Sequence, residues 1–252
     1  MTESISQQDA YARSVDAIVT GLDVADEGTL VMLDRTVFYP GGGGQPSDSG
    51  SLRTAGPDGT EHRVVRARWS GQAIIHLVDG AAGLAALRPG VAVSAEIDWP
   101  RRHLLMRTHT ALHVLCGVVW RDHRALVTGG NMEPGRGRLD FELESMSGEF
   151  VGVIERRVNE EIAADRRVVV RTLPRDEAFP IPDLIRTKVD LLPAGIEQVR
   201  VIEIVGLDLQ ADGGTHVAST GEVGPIRVAG YESKGRINKR IRIALVDAIA
   251  EI

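Results

Sequence analysis

Asp98-Trp99-Pro100-Arg101-Arg102-His103-Leu104-Leu105-Met106-Arg107-Thr108-His109-Thr110-Ala111-Leu112-His113 is the stretch on which the fold turns. Before it, apolar residues alternate with polar ones as in strands; after it they recur at helical spacing. An Asp ahead of a Pro at the first turn is a helix start signal. The spacing predicts a helix from about Arg101 to Trp120, carrying Leu104, Leu105, Leu112, Leu115 and Val119. His109 and His113 are four apart on it, so both imidazoles share one face with Cβ atoms about 6 Å apart. That pair is half a zinc site. Asp212-Gly213-Gly214-Thr215-His216 offers a carboxylate and another imidazole across a Gly-Gly turn, and both bind zinc at about 2.0–2.2 Å. A helical His pair alone is weak evidence, since one ring can be solvated and the other hydrogen-bonded in a core; the second segment favours the metal. Thr110 stands where a helical zinc protease carries its Glu base, which disfavours that class.

Upstream, Val15, Ala17 and Val19 alternate, Thr29 to Asp34 and Thr36 to Tyr39 are short apolar runs, and Val91, Val93, Ala95 and Ile97 alternate again. Arg63 to Trp69 and Ala73 to Val78 read as a hairpin around Ser70-Gly71-Gln72. These pieces suggest a small β-barrel-like domain over 1–98. Residues 99–252 add a strand at Arg138 to Leu143, a helix from about Gly148 to Asp165, a short strand at Val168 to Val170 and a broken helix over Arg175 to Lys188. Strands follow at Val199 to Val205, Arg227 to Tyr231 and Ile237 to Leu245, the last with Ile237, Ile241, Ile243 and Leu245 inward. The fold class is therefore α+β, a barrel-like domain followed by a domain with a mixed sheet and long helices.

Pro40-Gly41-Gly42-Gly43-Gly44-Gln45-Pro46-Ser47-Asp48 ends a predicted strand. Four glycines permit positive φ and close backbone approach, which suits a ligand-touching loop as well as a simple flexible turn; the polar Gln45, Ser47 and Asp48 favour the former. No GxGxxG, P-loop or GxSxG occurs. Cys116, three residues past His113, reads first as a small buried thiol, with a nucleophile or an extra metal ligand as alternatives.

The chain has 252 residues, 43% hydrophobic and 25% charged, as expected of a globular protein. A single cysteine excludes an intramolecular disulfide or a multi-cysteine zinc ribbon, so a metal must rest mainly on His and carboxylate. The N-terminus lacks a signal-peptide pattern and no run approaches the roughly 18 apolar residues that span a bilayer, so a cytoplasmic protein with no membrane partner is expected. A net charge of -6 argues against binding nucleic acid through the whole surface. Lys234, Arg236, Lys239, Arg240 and Arg242 are free of intervening acids, and read either as a local phosphate-tracking patch or as a charge-protected edge strand.

Several motifs in order resemble the free-standing alanyl-tRNA editing family, similar to the editing domain of alanyl-tRNA synthetase. They are the run from Leu33 to Gly50, Arg107 to His113, Gly137 to Phe141, Val158 to Ile162, Gly213 to Val217 and Thr220 to Gly224. The resemblance covers nearly the whole chain, and the Gly-rich N-terminal part is similar to the longer members with a β-barrel before the catalytic domain. It implies a deacylase (editing) domain over 99–252 that hydrolyses mischarged tRNA(Ala), typically seryl or glycyl, at the acceptor end, with no nucleotide cofactor. It also implies one zinc per chain, held by His109, His113 and His216. Asp212 stands where the family commonly has Cys, which implies an oxygen ligand with a weaker or less zinc-selective site, or a base acting on water. Gly41, Gly42, Gly43 and Gly44 are expected against the tRNA, with Lys234, Arg236, Lys239 and Arg240, while Thr36 and Gln45 are candidates for sensing a substrate hydroxyl. The alternatives are a catalytically impaired tRNA-binding module and a metal-dependent small-ester hydrolase.

Overall fold

A computed structural model describes residues 1–56, 59–79, 86–187 and 195–249. The chain divides into two compact units, Met1–His103 and Leu104–Ile252. The first begins with β1 (Glu3–Ser4) and α1 (Ile5–Gln8), followed by β2 (Ser14–Ala25), β3 (Gly28–Leu33), β4 (Arg35–Thr36), β5 (Gly50–Thr54), β6 (Glu61–Ser70), β7 (Ala73–Val78) and β8 (Ala92–Ile97). Six of these close a barrel in the order β2-β3-β7-β6-β5-β8, every ladder antiparallel. Closure removes the exposed sheet edges and sends alternate residues inward, so Val19, Val31, Leu33, Leu52, Val64, Ile74, Val93 and Ala95 fill the core. The β6–β7 hairpin turns at Gly71-Gln72, where Gly71 adopts φ 58. The run from Thr36 to Tyr39 is not the strand its apolarity suggests: pairing stops at Thr36, and Val37 and Phe38 are consecutive residues both buried in the core.

The glycine loop is pinned rather than loose. Gly41, Gly42, Gly43 and Gly44 have φ of 82, 139, 57 and 87, a succession that L side chains resist. Gly42 and Gln45 exchange backbone hydrogen bonds at 3.0 and 2.9 Å, and the Tyr39 hydroxyl donates to the Gly42 carbonyl at 3.0 Å. Asp48 closes the loop by accepting from Tyr39 N at 2.6 Å and from Arg102, whose Nε lies 3.0 Å from each carboxylate oxygen. Arg102 spends its other nitrogens on the Val37 and Ala10 carbonyls at 2.7 and 2.9 Å. Both side chains of this pair are withdrawn from solvent.

The second unit takes most of α2 (Trp99–His123), then β9 (Val127–Glu133), β10 (Arg136–Glu142), α3 (Gly148–Ala163), β11 (Val168–Pro174), α4 (Arg175–Ala178), β12 (Gln198–Ile204), β13 (Asp208–Ala211), β14 (Ile226–Gly235), β15 (Asn238–Leu245) and α5 (Val246–Ile249). One sheet has the order β14-β15-β10-β9 and the other β11-β12-β13. Both are antiparallel throughout, not mixed, because neighbours such as β9–β10 and β14–β15 are joined by short turns rather than crossover helices. Ser147 caps α3 by accepting from Phe150 N, and Val151, Ile154, Val158 and Ile162 form its buried stripe. Ile237 lies in the β14–β15 turn and is 37% exposed, so the inward set of β15 begins at Lys239. The end of the broken-helix segment, at Lys188, lies outside the described residues. Among the described residues no helix is long and apolar enough to cross a membrane.

Removing one partner of the Asp48–Arg102 pair strands a buried charge, so Asp48→Ala is expected to destabilise the first unit by about 3–5 kcal/mol in urea titration. Loss below about 1 kcal/mol would mean that water reaches the guanidinium. A second prediction concerns pH. Burial, partly offset by a hydrogen bond with the Val31 carbonyl, holds His76 at about 4 against 6.5 when exposed. The unfolded chain therefore protonates first as pH falls, so the stability present at neutral pH is lost between about 6.5 and 4, by at most about 3 kcal/mol. His76→Gln should lose less stability than the parent between about pH 7 and 5; parallel curves would contradict this.

Candidate metal centre

His109 and His113 project from one face of α2, buried to 5% and 8% exposure. Asp212 and His216 come from the loop after β13, and the ligand atoms of all four lie within 4.8 Å of one another. The rings of His109, His113 and His216 meet with centroids 4.4 to 5.1 Å apart. Asp212 presents Oδ1 3.6 Å from His109 Nε2 and Oδ2 3.2 Å from His216 Nε2. A tetrahedral zinc with bonds of about 2.0–2.2 Å has ligand–ligand edges of about 3.3–3.6 Å. The donor chemistry fits, and both Asp212–imidazole distances lie close to that edge length.

The local chain explains the convergence. The Asp212 Oδ2 accepts from Gly214 N at 2.6 Å, folding the turn back on itself, and Arg200 Nη1 donates to the carbonyls of Asp212 and Gly214 at 3.1 and 2.7 Å. Each imidazole is held from behind. His113 Nδ1 is 3.0 Å from Asp208 Oδ2, His216 Nδ1 is 3.1 Å from Thr110 Oγ1, and His109 hydrogen-bonds the backbone of Thr215. An outer partner on the second ring nitrogen is what a metal-bound imidazole needs to keep its tautomer and direction.

The electrostatics favour the ligating protonation state at three of the four positions. Burial pushes His109 down to about 4, against the pull of Asp212, and burial together with the His109 charge pushes His216 well below its ordinary range. Burial also opposes charge on His113, but the Asp208 hydrogen bond and carboxylate outweigh it and the net shift is upward. Asp212 is lowered: its burial is overcome by His109, His216 and His113. Neutral rings at two positions and an ionised carboxylate at the fourth are the protonation states in which these groups bind a cation.

Comparison with known proteins places the chain in a family. The family description "Threonyl and Alanyl tRNA synthetase second additional domain" matches residues 199–242, which contain Asp212 and His216, and "tRNA synthetases class II (A)" matches residues 10–101. The chain is 36% identical to alanyl-tRNA editing protein AlaX-M of Methanosarcina mazei over 98% of both chains. The AlaX-M protein of Saccharolobus solfataricus is 35% identical over 96% of this chain and 98% of its own. The chain belongs to the alanyl-tRNA editing protein family. An alanine–tRNA ligase of Pyrobaculum arsenaticum is 37% identical over 92% of this chain, a match that covers 25% of the ligase.

Among the expected site residues, the four expected metal ligands meet in the second unit, and the others are described by their own surroundings. Thr36 and Gln45 belong to the first unit and are buried; the Thr36 hydroxyl lies 2.8 Å from His76 Nε2 and accepts from Phe38 N at 3.1 Å. Within the basic segment, Lys239 is buried and its ammonium donates to the Gly235 and Arg236 carbonyls, so its charge closes the β14–β15 turn instead of facing a phosphate. Arg240 pairs with Asp140 at 2.7 and 2.8 Å, and Lys234 with Glu232 at 3.3 Å, which leaves Arg236 as the exposed member without such a pair among the described residues. β15 is an interior strand, so the edge-strand alternative fails for that part of the segment. Cys116 stands outside the four-residue cluster; burial raises its thiol pKa, and Gln210 donates to its sulfur at 3.3 Å. A protonated, buried thiol matches the packing role over the nucleophile. The supporting roles of Thr110, Arg200, Asp208 and Thr215 leave no mark in the sequence, because each acts through a contact with residues distant in the chain or through the backbone.

His113→Ala removes one of four donors, so dialysed protein should fall from one zinc per chain to a small fraction of that by atomic emission, with circular dichroism unchanged. Undiminished zinc content in this variant would exclude the cluster as the site.

Proposed function

We propose that this chain is a cytoplasmic trans-editing enzyme that hydrolyses the ester of mischarged tRNA(Ala), seryl-tRNA(Ala) first and glycyl-tRNA(Ala) also, with one zinc held by His109, His113, His216 and Asp212. The convergence of three imidazoles and a carboxylate, in a chain collinear with AlaX-M proteins, carries this reading. When bound, zinc supplies Lewis acidity and positive charge for the ester oxygen. The chain's own residues set the stage for it. His109 and His216 offer lone pairs without first releasing protons, because burial keeps both rings neutral. Asp212 contributes the negative charge that a thiolate brings elsewhere in the family. Its two oxygens each face a ring nitrogen, which favours a ligand over a detached base. A harder oxygen makes the site less selective for zinc than sulfur would.

Residues 1–98 serve as the Gly-rich motif domain and 99–252 as the deacylase domain in this proposal. The backbone of Gly41, Gly42, Gly43 and Gly44 is offered to the acceptor end of the tRNA, and Arg236 with Lys234 to its phosphates. Thr36 and Gln45 keep the task of sensing a side-chain hydroxyl: Thr36 has used two of its three hydrogen-bonding positions, one of them on a His76 ring that burial keeps neutral.

The test is deacylation of Ser-, Gly- and Ala-tRNA(Ala) with and without chelator, repeated for Asp212→Cys. The expected outcome is release of serine and glycine with alanine spared, loss of activity on chelation, and tighter zinc retention in the variant. tRNA binding without turnover would convert the reading to a binding module, and turnover of simple esters at equal rate to a small-ester hydrolase.

A further inference from the structure

Behind the His113 imidazole lies a buried carboxylate whose own surroundings set it apart from the other outer partners. Asp208, at the start of β13, has no solvent-exposed side-chain surface. Its Oδ2 sits 3.0 Å from His113 Nδ1 and accepts from Gln210 Nε2 at 2.7 Å. Its Oδ1 lies 3.2 Å from Arg186 Nη1, a charge contact whose angle does not make a hydrogen bond, while the Arg186 guanidinium covers the Trp120 ring at 5.0 Å. The hydrogen-bonded oxygen is therefore the one that faces His113.

The helix is built to admit this carboxylate. Gly117 lies one helical turn beyond His113, in the interior of α2, where glycine costs about 1 kcal/mol relative to alanine. A Cβ there would stand 2.9 Å from Leu207 Cγ and 3.1 Å from Asp208 Cβ. The missing side chain is what lets the strand approach α2 closely enough for Asp208 to reach the ring. A buried carboxylate needs compensation, and Gln210 and Arg186 supply it without displacing His113.

We infer that Asp208 is a positioning residue of the metal centre, which orients His113 and fixes its tautomer through Nδ1 so that Nε2 is presented to the cation. The inference rests on the metal reading above. It assigns Gln210 and Arg186 to holding Asp208, and Gly117 to giving it room.

The experiment measures zinc affinity by competition with a chromophoric chelator, and the visible spectrum of the cobalt-loaded protein, for the parent, Asp208→Asn and the double variant Asp208→Asn/Arg186→Met. An amide keeps the shape but not the charge, and loss of such an outer partner weakens metal binding by roughly 10- to 100-fold. That weakening is expected in both variants, with a shifted cobalt spectrum. The double variant removes the stranded guanidinium, so recovery of its chelator-treated melting temperature without recovery of affinity separates ring positioning from general stability. Parent-like affinity and spectrum in Asp208→Asn would overturn the role of Asp208 while leaving the metal site intact. A parent that binds no zinc would instead overturn the metal reading itself.

Discussion

The site depends on the hydrogen bonds that hold each imidazole from behind. A histidine ring that is free to rotate about χ1 and χ2 loses entropy on binding a cation, whereas a ring already fixed through its second nitrogen does not lose it again. Here three rings are fixed by three unlike partners: a carboxylate, a hydroxyl and a backbone group. Those partners come from α2 itself, from the start of β13 and from the loop after it, so the geometry of the cluster and the packing of the second unit are one constraint.

That constraint explains the distribution of charge. Burial works against the charge of Asp212, yet its carboxylate lies within 4 Å of two imidazole nitrogens, and the Asp208 side chain lies equally close to an imidazole and a guanidinium. The same burial keeps His109 and His216 unprotonated. Low dielectric makes unpaired groups expensive and paired ones rigid, and a preorganised cluster follows from satisfying nearly every member. In the first unit the Arg102–Asp48 pair works on the same principle, with the difference that its product is a loop conformation instead of a side-chain cluster.

Some of this was legible in the residues. The period-2 alternation of β2 and β8 and the turn at Gly71 marked the barrel, because a closed antiparallel sheet with one wet face must alternate. The four-residue step from His109 to His113 marked a shared helix face. β9 and β13 were invisible for physical reasons: Gly129 and Gly130 erase the alternation of one, and the other is four residues in which Asp208 faces inward. Lys239 misled for a related reason, since a long side chain can bury its stem and turn its ammonium back onto the chain.

By itself the sequence determined the inventory and the local directions: α+β elements, a helix with two imidazoles on one face, a turn carrying Asp212 and His216, and a glycine loop needing positive φ. Local periodicity and residue chemistry suffice for these because they involve neighbours within a turn or a strand. Only the tertiary structure decided that residues about a hundred positions apart in the chain share one centre, that Asp208 stands behind His113, and that the basic segment is largely spent on internal pairs. Pairing across such separations is set by the register of β12 with β13 and by how closely Gly117 lets the chain approach α2, and neither leaves a periodic trace in the sequence.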